Sequence, residues 1–269
     1  MSWELLHRAY CTADQDTMQC HVDLMQWLNW VFILAGVAYF FRQSFAHTPY
    51  GRYVEGTESC WMVPAKAAWF IQEVPSFLAP AGLCYFCNGK SSIGRNLLLG
   101  TFCFHYIQRS FIYALLTKGR PSPFFIVVSA VIFCTVNGLF QGSYMLFCAQ
   151  YDEAWLTDIR LILGLTLFFL GMAINIHSDH ILRNLRQTGE VVYKIPRGGL
   201  FEYVSGANFF GEIIEWFGYA IATWSLPAFS FAFFTMCSIG PRAFHHHRFY
   251  LQKFEDYPRA RKALIPFII

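Results

Sequence analysis

The stretch Gly206-Ala-Asn-Phe-Phe-Gly-Glu-Ile-Ile-Glu-Trp-Phe-Gly-Tyr-Ala-Ile-Ala-Thr-Trp224 has the length and apolar content of a membrane-crossing helix, yet it carries an amide and two carboxylates. Asn208, Glu212 and Glu215 are spaced i, i+4 and i+7, so they share one face of an α-helix. A carboxylate at bilayer depth costs about 2.5–3.5 kcal/mol on insertion scales. We therefore expect this face, the polar stripe, to meet polar groups and not lipid.

The composition of the whole chain is that of an integral membrane protein. Of its 269 residues, 55% are hydrophobic and 14% are charged, whereas a soluble domain is about 25% charged. The net charge of +3 is too small to indicate a nucleic-acid partner. Nine cysteines, an odd number, lie mostly in apolar runs and are expected to be free thiols. The N-terminus lacks the basic and apolar segments of a cleaved signal peptide, so the first apolar span is expected to direct insertion.

Seven apolar segments predict an all-α integral membrane protein, because a helix satisfies its own backbone hydrogen bonds in lipid. The segments cover approximately 24–41, 63–87, 96–116, 124–148, 159–176, 205–224 and 226–240. With seven spans, the connecting segments and tail on one side carry fourteen Lys and Arg residues, and those on the other side carry three. The positive-inside rule then predicts a seven-transmembrane helix bundle with the N-terminus outside or lumenal and the C-terminus cytosolic. We expect a single membrane domain over 1–269.

Spans 2 and 3 carry further polar residues at membrane depth. Glu73 lies near the middle of span 2, two residues before Pro75, which can kink the helix. It is either a functional acid or a structural carboxylate paired with a cation such as Arg109. Tyr106, Arg109 and Tyr113 share a face of span 3. Tyr106 is either a packed tyrosine or a hydrogen-bond donor to a substrate carbonyl.

Span 5 and the segment after it have features of a nucleotide site. Asn175, Asp179, Arg183 and Arg186 fall near one face of a helix that leaves the membrane. Arginines there suit a phosphate group, and the alternative is a solvated helix end with Asp–Arg pairing. The Gly-Gly pair at 198–199 allows close approach of the backbone to a ligand. The chain has no G-x-G-x-x-G and no P-loop, so a dinucleotide site here is not of the Rossmann type.

The C-terminal part reads Arg242-Ala-Phe-His-His-His-Arg-Phe-Tyr-Leu, in which Arg242, His246 and Tyr250 are spaced i, i+4 and i+8. Three adjacent histidines also suggest a metal, as in membrane di-iron oxygenases. Neighbouring helical residues point in different directions, however, and at most two of the three histidines could reach one ion. We therefore expect no metal site.

These motifs together resemble the steroid 5α-reductases, the 3-oxo-5α-steroid 4-dehydrogenases of types 1 and 2. The resemblance is carried by Ala67-Ala-Trp-Phe-Ile-Gln-Glu-Val-Pro-Ser and by 171–186, 195–216, 242–251 and 261–267. It covers a reductase core over 62–269, whereas residues 1–60, with span 1, form a divergent N-terminal region. Ser129 stands where the type 2 pattern has an arginine, which affects the expected substrate preference and not the reaction.

The resemblance implies NADPH-dependent reduction of the Δ4 double bond of a 3-oxo-Δ4-steroid to the 5α-3-oxo-steroid. Hydride goes to C5, and Glu73 and Tyr106 polarise the C3 carbonyl, on which negative charge develops. The resemblance implies NADPH contacts from Arg120, Asn175, Asp179, Arg186, Tyr193, Asn208, Glu212, Arg242, His246 and Tyr250. The expected location is the endoplasmic reticulum membrane in a eukaryote or the inner membrane in a bacterium.

Four alternatives stay open at this point: a sterol double-bond reductase, an isoprenylcysteine-type membrane methyltransferase, a di-iron oxygenase, and a transporter or receptor. The methyltransferase would bind S-adenosylmethionine in the same cytosolic pocket, and the oxygenase would need a metal. Apart from the steroid and membrane lipid, no obligate protein partner is expected.

Overall fold

The computed structural model describes residues 15–49, 51–53, 61–86, 92–185 and 193–269, with only the backbone for 15–22 and 52. Within these ranges lie seven helices of fifteen residues or more. They are α1 (Gln15–Phe45), α2 (Ala65–Phe86), α3 (Ile93–Ile107), α4 (Phe124–Ser143), α5 (Ile159–Asn184), α6 (Ala207–Thr223) and α7 (Leu226–Lys253). Each overlaps one predicted apolar span, so the prediction of a helical protein is confirmed.

Three of these helical segments are long and apolar enough to cross a membrane by length and composition alone. They are Asp23–Phe45, Phe124–Cys148 and Ile159–Asn184. The protein is thus a helical membrane protein, while the count of seven spans and the orientation of the termini stay predictions. One detail departs from an all-helical chain: Met62–Val63 (β1) pairs antiparallel with Ser122–Pro123 (β2).

Helices α5 and α6 are held together by an interface of small residues. A Cβ added to Gly164 would lie 2.2 Å from the backbone nitrogen of Ala222, and one on Gly171 would lie 2.3 Å from that of Glu215. A Cβ on Gly211 or Gly218 would likewise fall within 2.6 Å of α5 backbone. Small residues let two membrane helices approach closely, since lipid offers no hydrophobic force to pair them. This approach fixes the polar stripe of α6 against the end of α5.

Two helices widen into π-helical turns next to the interior of the bundle. Residues Gln108–Tyr113 continue α3 as a π-helix before a last α-turn, Ala114–Leu116, and Tyr144–Cys148 end α4 in the same way. A π-turn changes the direction in which the following side chains point, and it is frequent at functional sites. Arg109 lies in the first of these turns and is buried.

The last helix and the C-terminal segment close one end of the bundle. Trp224 adopts a left-handed conformation and Ser225 caps α7, so a tight turn joins α6 to α7. Helix α7 then continues to Lys253, so the Arg242–Tyr250 motif is helical. After α7 the chain returns to the segment that precedes α6. Lys262 forms a parallel bridge with Val204, and buried Arg261 donates to the carbonyl oxygen of Pro196 at 2.8 Å.

Candidate active site

Three adjoining cavities run from the bundle interior to the end where α5 and α7 finish and α6 begins. The deep cavity has a volume of about 400 Å³, the middle cavity about 210 Å³ and the outer cavity about 180 Å³. Thr48, Trp69, Ser122 and Arg242 line both the deep and the middle cavity. Tyr113, Thr117, Gly119 and Tyr193 line both the middle and the outer cavity. Each cavity therefore borders the next.

The deep cavity is mainly apolar and contains both predicted catalytic residues, Glu73 of α2 and Tyr106 of α3. Helix α4 contacts both of them. Asn137 donates to the Tyr106 hydroxyl at 3.2 Å, and the Cys134 thiol lies 3.9 Å from a carboxylate oxygen of Glu73. Because Cys134 and Asn137 are three residues apart on one helix, they hold the two groups near each other. The aromatic walls of this cavity are Phe133, Phe209, Trp216, Phe231 and Phe234.

Arg109 forms no ion pair with Glu73, so the pairing of these two residues that the sequence left open is not found. Its guanidinium donates to Asp179 at 3.0 Å and to Glu212 at 3.5 Å. It also lies over the rings of Trp69 and Tyr113, 5.0 and 4.3 Å from their centroids. Arg109 thus joins α3 to the carboxylates of α5 and α6 at the border of the deep cavity.

The polar stripe of α6 meets polar groups along its whole length, as predicted. Asn208 lines the outer cavity, and Glu212 lines the deep cavity. Asn175 of α5 donates to the backbone oxygen of Asn208 at 3.0 Å and to the Glu212 carboxylate at 3.3 Å. Glu215, fully buried one turn further on, lies 2.6 Å from the Nδ1 atom of His105. The two carboxylates of the stripe, of which only Glu215 is fully buried, therefore have polar partners on α3 and α5.

Cations surround the outer and middle cavities. Lys118, Arg183 and Lys194 line the outer cavity, and Arg120 and Arg242 line the middle cavity. The predicted cofactor residues found around these two cavities are Arg120, Asp179, Tyr193, Asn208, Arg242, His246 and Tyr250. Asn175 stands behind Asn208 and Glu212, and Arg186 lies outside the described residues.

The three adjacent histidines of α7 point to three different neighbours, as expected for consecutive helical positions. His245 donates to the backbone oxygen of Gln43 at 2.6 Å, and His247 lies 2.7 Å from the Ser205 hydroxyl. His246 borders the middle cavity, with its ring 5.2 Å from that of Phe209. In the described part of the chain, no His, Cys, Asp or Glu side chains form a group of three that could hold a metal ion.

The Gly-Gly pair lies in a tight turn packed against α5. Gly198 and Gly199 have positive φ angles of 91° and 53°, which glycine adopts readily. A Cβ on Gly199 would lie 2.6 Å from the ring of His177. Neither glycine lines the three cavities. The pair therefore forms a tight turn against α5, and its close approach to a ligand stays a prediction.

Several cavity residues were not predicted from the sequence. His105 directly precedes Tyr106, and Trp69 lies in the motif around Glu73, so the position of each in the sequence could have identified it. His47, Thr48 and Tyr53 line the middle cavity from the segment after α1, where no motif marked them. The His47 and Tyr53 rings stack 4.1 Å apart. Burial lowers the pKa of His47, and the neighbouring His245 lowers it further.

Comparison with known proteins shows which family this chain resembles. The family model described as 3-oxo-5-alpha-steroid 4-dehydrogenase matches residues 120–269. The chain is 60% identical over 222 residues to 3-oxo-5-alpha-steroid 4-dehydrogenase 2 of Sus scrofa and 59% identical to that of Homo sapiens, and each match covers 81% of this chain and 87% of the relative. It is 46% identical over 256 residues to 3-oxo-5-alpha-steroid 4-dehydrogenase 1 of Mus musculus, covering 93% of this chain and 98% of the relative.

Proposed function

The chain belongs to the 3-oxo-5-alpha-steroid 4-dehydrogenase family, and on that premise we propose that it is a membrane-bound, NADPH-dependent oxidoreductase that reduces the Δ4 double bond of 3-oxo-Δ4-steroids. One observation carries the proposal. An apolar cavity of about 400 Å³ contains Glu73 and Tyr106, both contacted by α4, and adjoins two cavities lined by cations.

The deep cavity has the chemistry of a steroid site. Its aromatic and aliphatic walls suit a rigid apolar ring system, and a few polar groups orient it, as in most small-molecule sites. Glu73 and Tyr106 are the groups that would hold the C3 carbonyl oxygen. A carboxyl group in its neutral form and a tyrosine hydroxyl can both donate a hydrogen bond, so both would stabilise the negative charge that develops on that oxygen.

The outer and middle cavities fit a phosphorylated dinucleotide. Lys118, Arg120, Arg183 and Arg242 provide cations for phosphate groups, including the 2′-phosphate that distinguishes NADPH from NADH. The carboxylates of Asp179 and Glu212 can accept hydrogen bonds from ribose hydroxyls. NADPH, when bound, supplies the hydride that C5 receives. Trp69 and Arg242, which line both the middle and the deep cavity, would lie beside the place where cofactor and steroid meet.

The same arrangement favours a defined orientation in the membrane. We propose seven spans with the cation-lined cavities open to the cytosol, in an endoplasmic reticulum membrane if the cell is eukaryotic and in the inner membrane if it is bacterial. Lys118, Arg120, Arg183, Lys194 and Arg242 all lie at the end that the positive-inside rule assigns to the cytosol. A cytosolic dinucleotide would enter there, and a lipophilic steroid would come from the bilayer.

The proposal is tested with purified protein in lipid nanodiscs, NADPH and a Δ4-3-oxo-steroid such as testosterone. Wild-type protein should consume NADPH only when steroid is present. Glu73→Gln keeps the size of the side chain and should lower kcat by about 10²–10³-fold, because one donor to the developing oxyanion is altered. NADPH binding, followed by fluorescence, should be unchanged in this variant.

Glu153→Gln is the matched control, because Glu153 is an exposed acid in the segment before α5, remote from the cavities. Normal turnover by Glu73→Gln would refute the role of Glu73. A wild-type protein that binds S-adenosylmethionine and turns over no steroid with NADPH would refute the reductase and indicate the methyltransferase.

A further inference from the structure

His105 of α3 and Glu215 of α6 form a buried pair for which the proposed function gives no use. The His105 Nδ1 atom and a carboxylate oxygen of Glu215 are 2.6 Å apart, and the two side chains are 5% and 0% exposed. The second carboxylate oxygen of Glu215 is buried and has no hydrogen-bond partner among the described residues. Two titratable groups buried for a single hydrogen bond are costly to the fold, which points to a role beyond packing.

His105 lines the deep cavity, and its pairing with Glu215 uses only one of its two ring nitrogens. The Nδ1 atom faces Glu215, so Nε2 lies on the other side of the ring, where it makes no hydrogen bond within the described part of the chain. His105 lines the deep cavity together with Glu73 and Tyr106, and its ring centroid is 4.9 Å from that of Tyr106. Trp216, 4.4 Å away, packs against the same ring and fixes its plane.

The reaction also needs a group that gives a proton to C4. Glu73 and Tyr106, which hold the C3 carbonyl oxygen, are not assigned that role. When C5 receives hydride, the π electrons of the C4–C5 bond move toward C3 and its oxygen, which gives an enolate. C4 must then take a proton from another group. Because C4 is bonded directly to C3, a donor to C4 must lie beside the groups that hold the C3 oxygen, and His105 adjoins Tyr106 in this way.

We propose that His105 is the catalytic acid that protonates C4, and that Glu215 is a positioning residue that holds the His105 ring; this inference rests on the function proposed above. A new C4–H bond forms as the Nε2–H bond of the imidazolium breaks, and the enolate becomes the ketone. His105 is left neutral, with Nδ1–H donating to Glu215, and takes up one proton from water after the product leaves. The overall reaction therefore consumes one hydride and one proton.

In many active sites a carboxylate binds one nitrogen of a histidine and so orients the other nitrogen for proton transfer. Glu215 and His105 have this arrangement. Besides Glu215, the charged or titratable groups that interact with His105 include Glu73, Glu212 and Arg109. Glu212 and Arg109 belong to the ionic group at the border of the deep cavity, so a variant at His105 also has to be checked for cofactor binding.

The test compares His105→Gln and Glu215→Gln with two matched controls, His180→Gln and Glu153→Gln, which change exposed residues. The kcat of steroid reduction should fall by about 10²–10⁴-fold in His105→Gln, as for loss of a general acid. In Glu215→Gln it should fall by at least about tenfold, since the ring loses its orienting carboxylate. The Kd for NADPH should stay within about twofold of wild type in both variants.

A partial reaction gives a readout that a purely structural role would not move. By microscopic reversibility, the acid that protonates C4 is also the base that removes a C4 proton from the saturated 3-oxo product. In D2O with NADP⁺ and the 5α-3-oxo-steroid, wild-type protein should introduce deuterium at C4, measured by NMR. His105→Gln should lose this exchange while it still binds the same steroid, measured as a competitive inhibition constant.

Exchange and turnover by His105→Gln within twofold of wild type would overturn the inference. Loss of NADPH binding in proportion to loss of activity would also overturn it, because the pair would then be structural. If wild-type protein reduced no Δ4-3-oxo-steroid, the proposed function itself would fail. That result is distinct from a wild type that reduces steroid and a His105 variant that reduces it equally well.

Discussion

Replacing Arg109 with glutamine should destabilise the protein by about 3–5 kcal/mol, as for other buried ion pairs that lose one partner. Arg109 makes contacts of 3.0 Å to Asp179 and 3.5 Å to Glu212. Each contact corresponds to about 5 kcal/mol of attraction at an effective dielectric constant of about 20. Desolvation offsets much of this attraction, but removal of the Arg109 cation leaves two poorly hydrated carboxylates that repel each other. Their side chains are only 7% and 18% exposed.

The assay is thermal unfolding in nanodiscs, in which Arg109→Gln should lower the midpoint by on the order of 10 °C. Arg160→Gln is the matched control: its contact with Asp158 is shorter, at 2.7 Å, but that arginine is 37% exposed. An exposed pair is screened by water, so we expect little change in its midpoint. The double variant Arg109→Gln/Asp179→Asn should recover part of the loss, because one of the two stranded charges is removed.

The reasoning is refuted if Arg160→Gln costs as much stability as Arg109→Gln, since burial would then not decide the effect. It is also refuted if Asp179→Asn gives no recovery in the Arg109→Gln background. In either case the ionic group joining α3, α5 and α6 would not be what holds the border of the deep cavity.

Three further changes test the helix interface and the C-terminal end. Gly211→Ala should lower the free energy of unfolding by about 1–3 kcal/mol through overpacking, because its Cβ would lie 2.6 Å from the backbone nitrogen of Asn175. Gly100→Ala is the control. A Cβ there meets nothing within 4 Å, so the unfolding midpoint should be unchanged or slightly raised. Arg261→Gln should cost about 1–3 kcal/mol by stranding the buried Pro196 carbonyl, and faster proteolysis after residue 254 would report it; an unchanged digestion rate would contradict the expectation. The Gly198 backbone N–H, helped by Arg261, holds the pKa of Glu202 below its ordinary value of 4.5. The contribution of the Glu202 carboxylate to the free energy of unfolding is therefore present above pH 4.5 and is lost on acidification. The stability difference between wild type and Glu202→Gln should therefore shrink as the pH falls below 4.5, and a difference that grows would show that the sign is wrong.

The sequence predicted the helices and the polar stripe well, because both depend on local patterns. Apolar runs separated by basic segments specify each helix, and the i, i+4, i+7 spacing of Asn208, Glu212 and Glu215 specifies a face. Within the stripe, Glu215 meets a polar group, His105, as the expectation for this face requires.

The partners of these residues could not be predicted, because they come from helices distant in the sequence. Arg109 was considered for Glu73, yet a π-helical turn and the close approach of α5 and α6 give it Asp179 and Glu212. The short β1–β2 pair and the cavity wall from the segment after α1 left no periodic signal either. Such features depend on which helices touch, and a single sequence does not contain that information in any local spacing.

The central claim is that NADPH bound in the outer and middle cavities would transfer hydride to C5 of a steroid whose C3 carbonyl is held by Glu73 and Tyr106. The most direct measurement uses NADPH deuterated at the transferable position of the nicotinamide, in H2O, with a Δ4-3-oxo-steroid and NMR of the product. The account predicts one deuterium at C5 and none at C4 or C3. Deuterium at C3, which would mean reduction of the carbonyl, or no deuterium in the steroid at all, would contradict it.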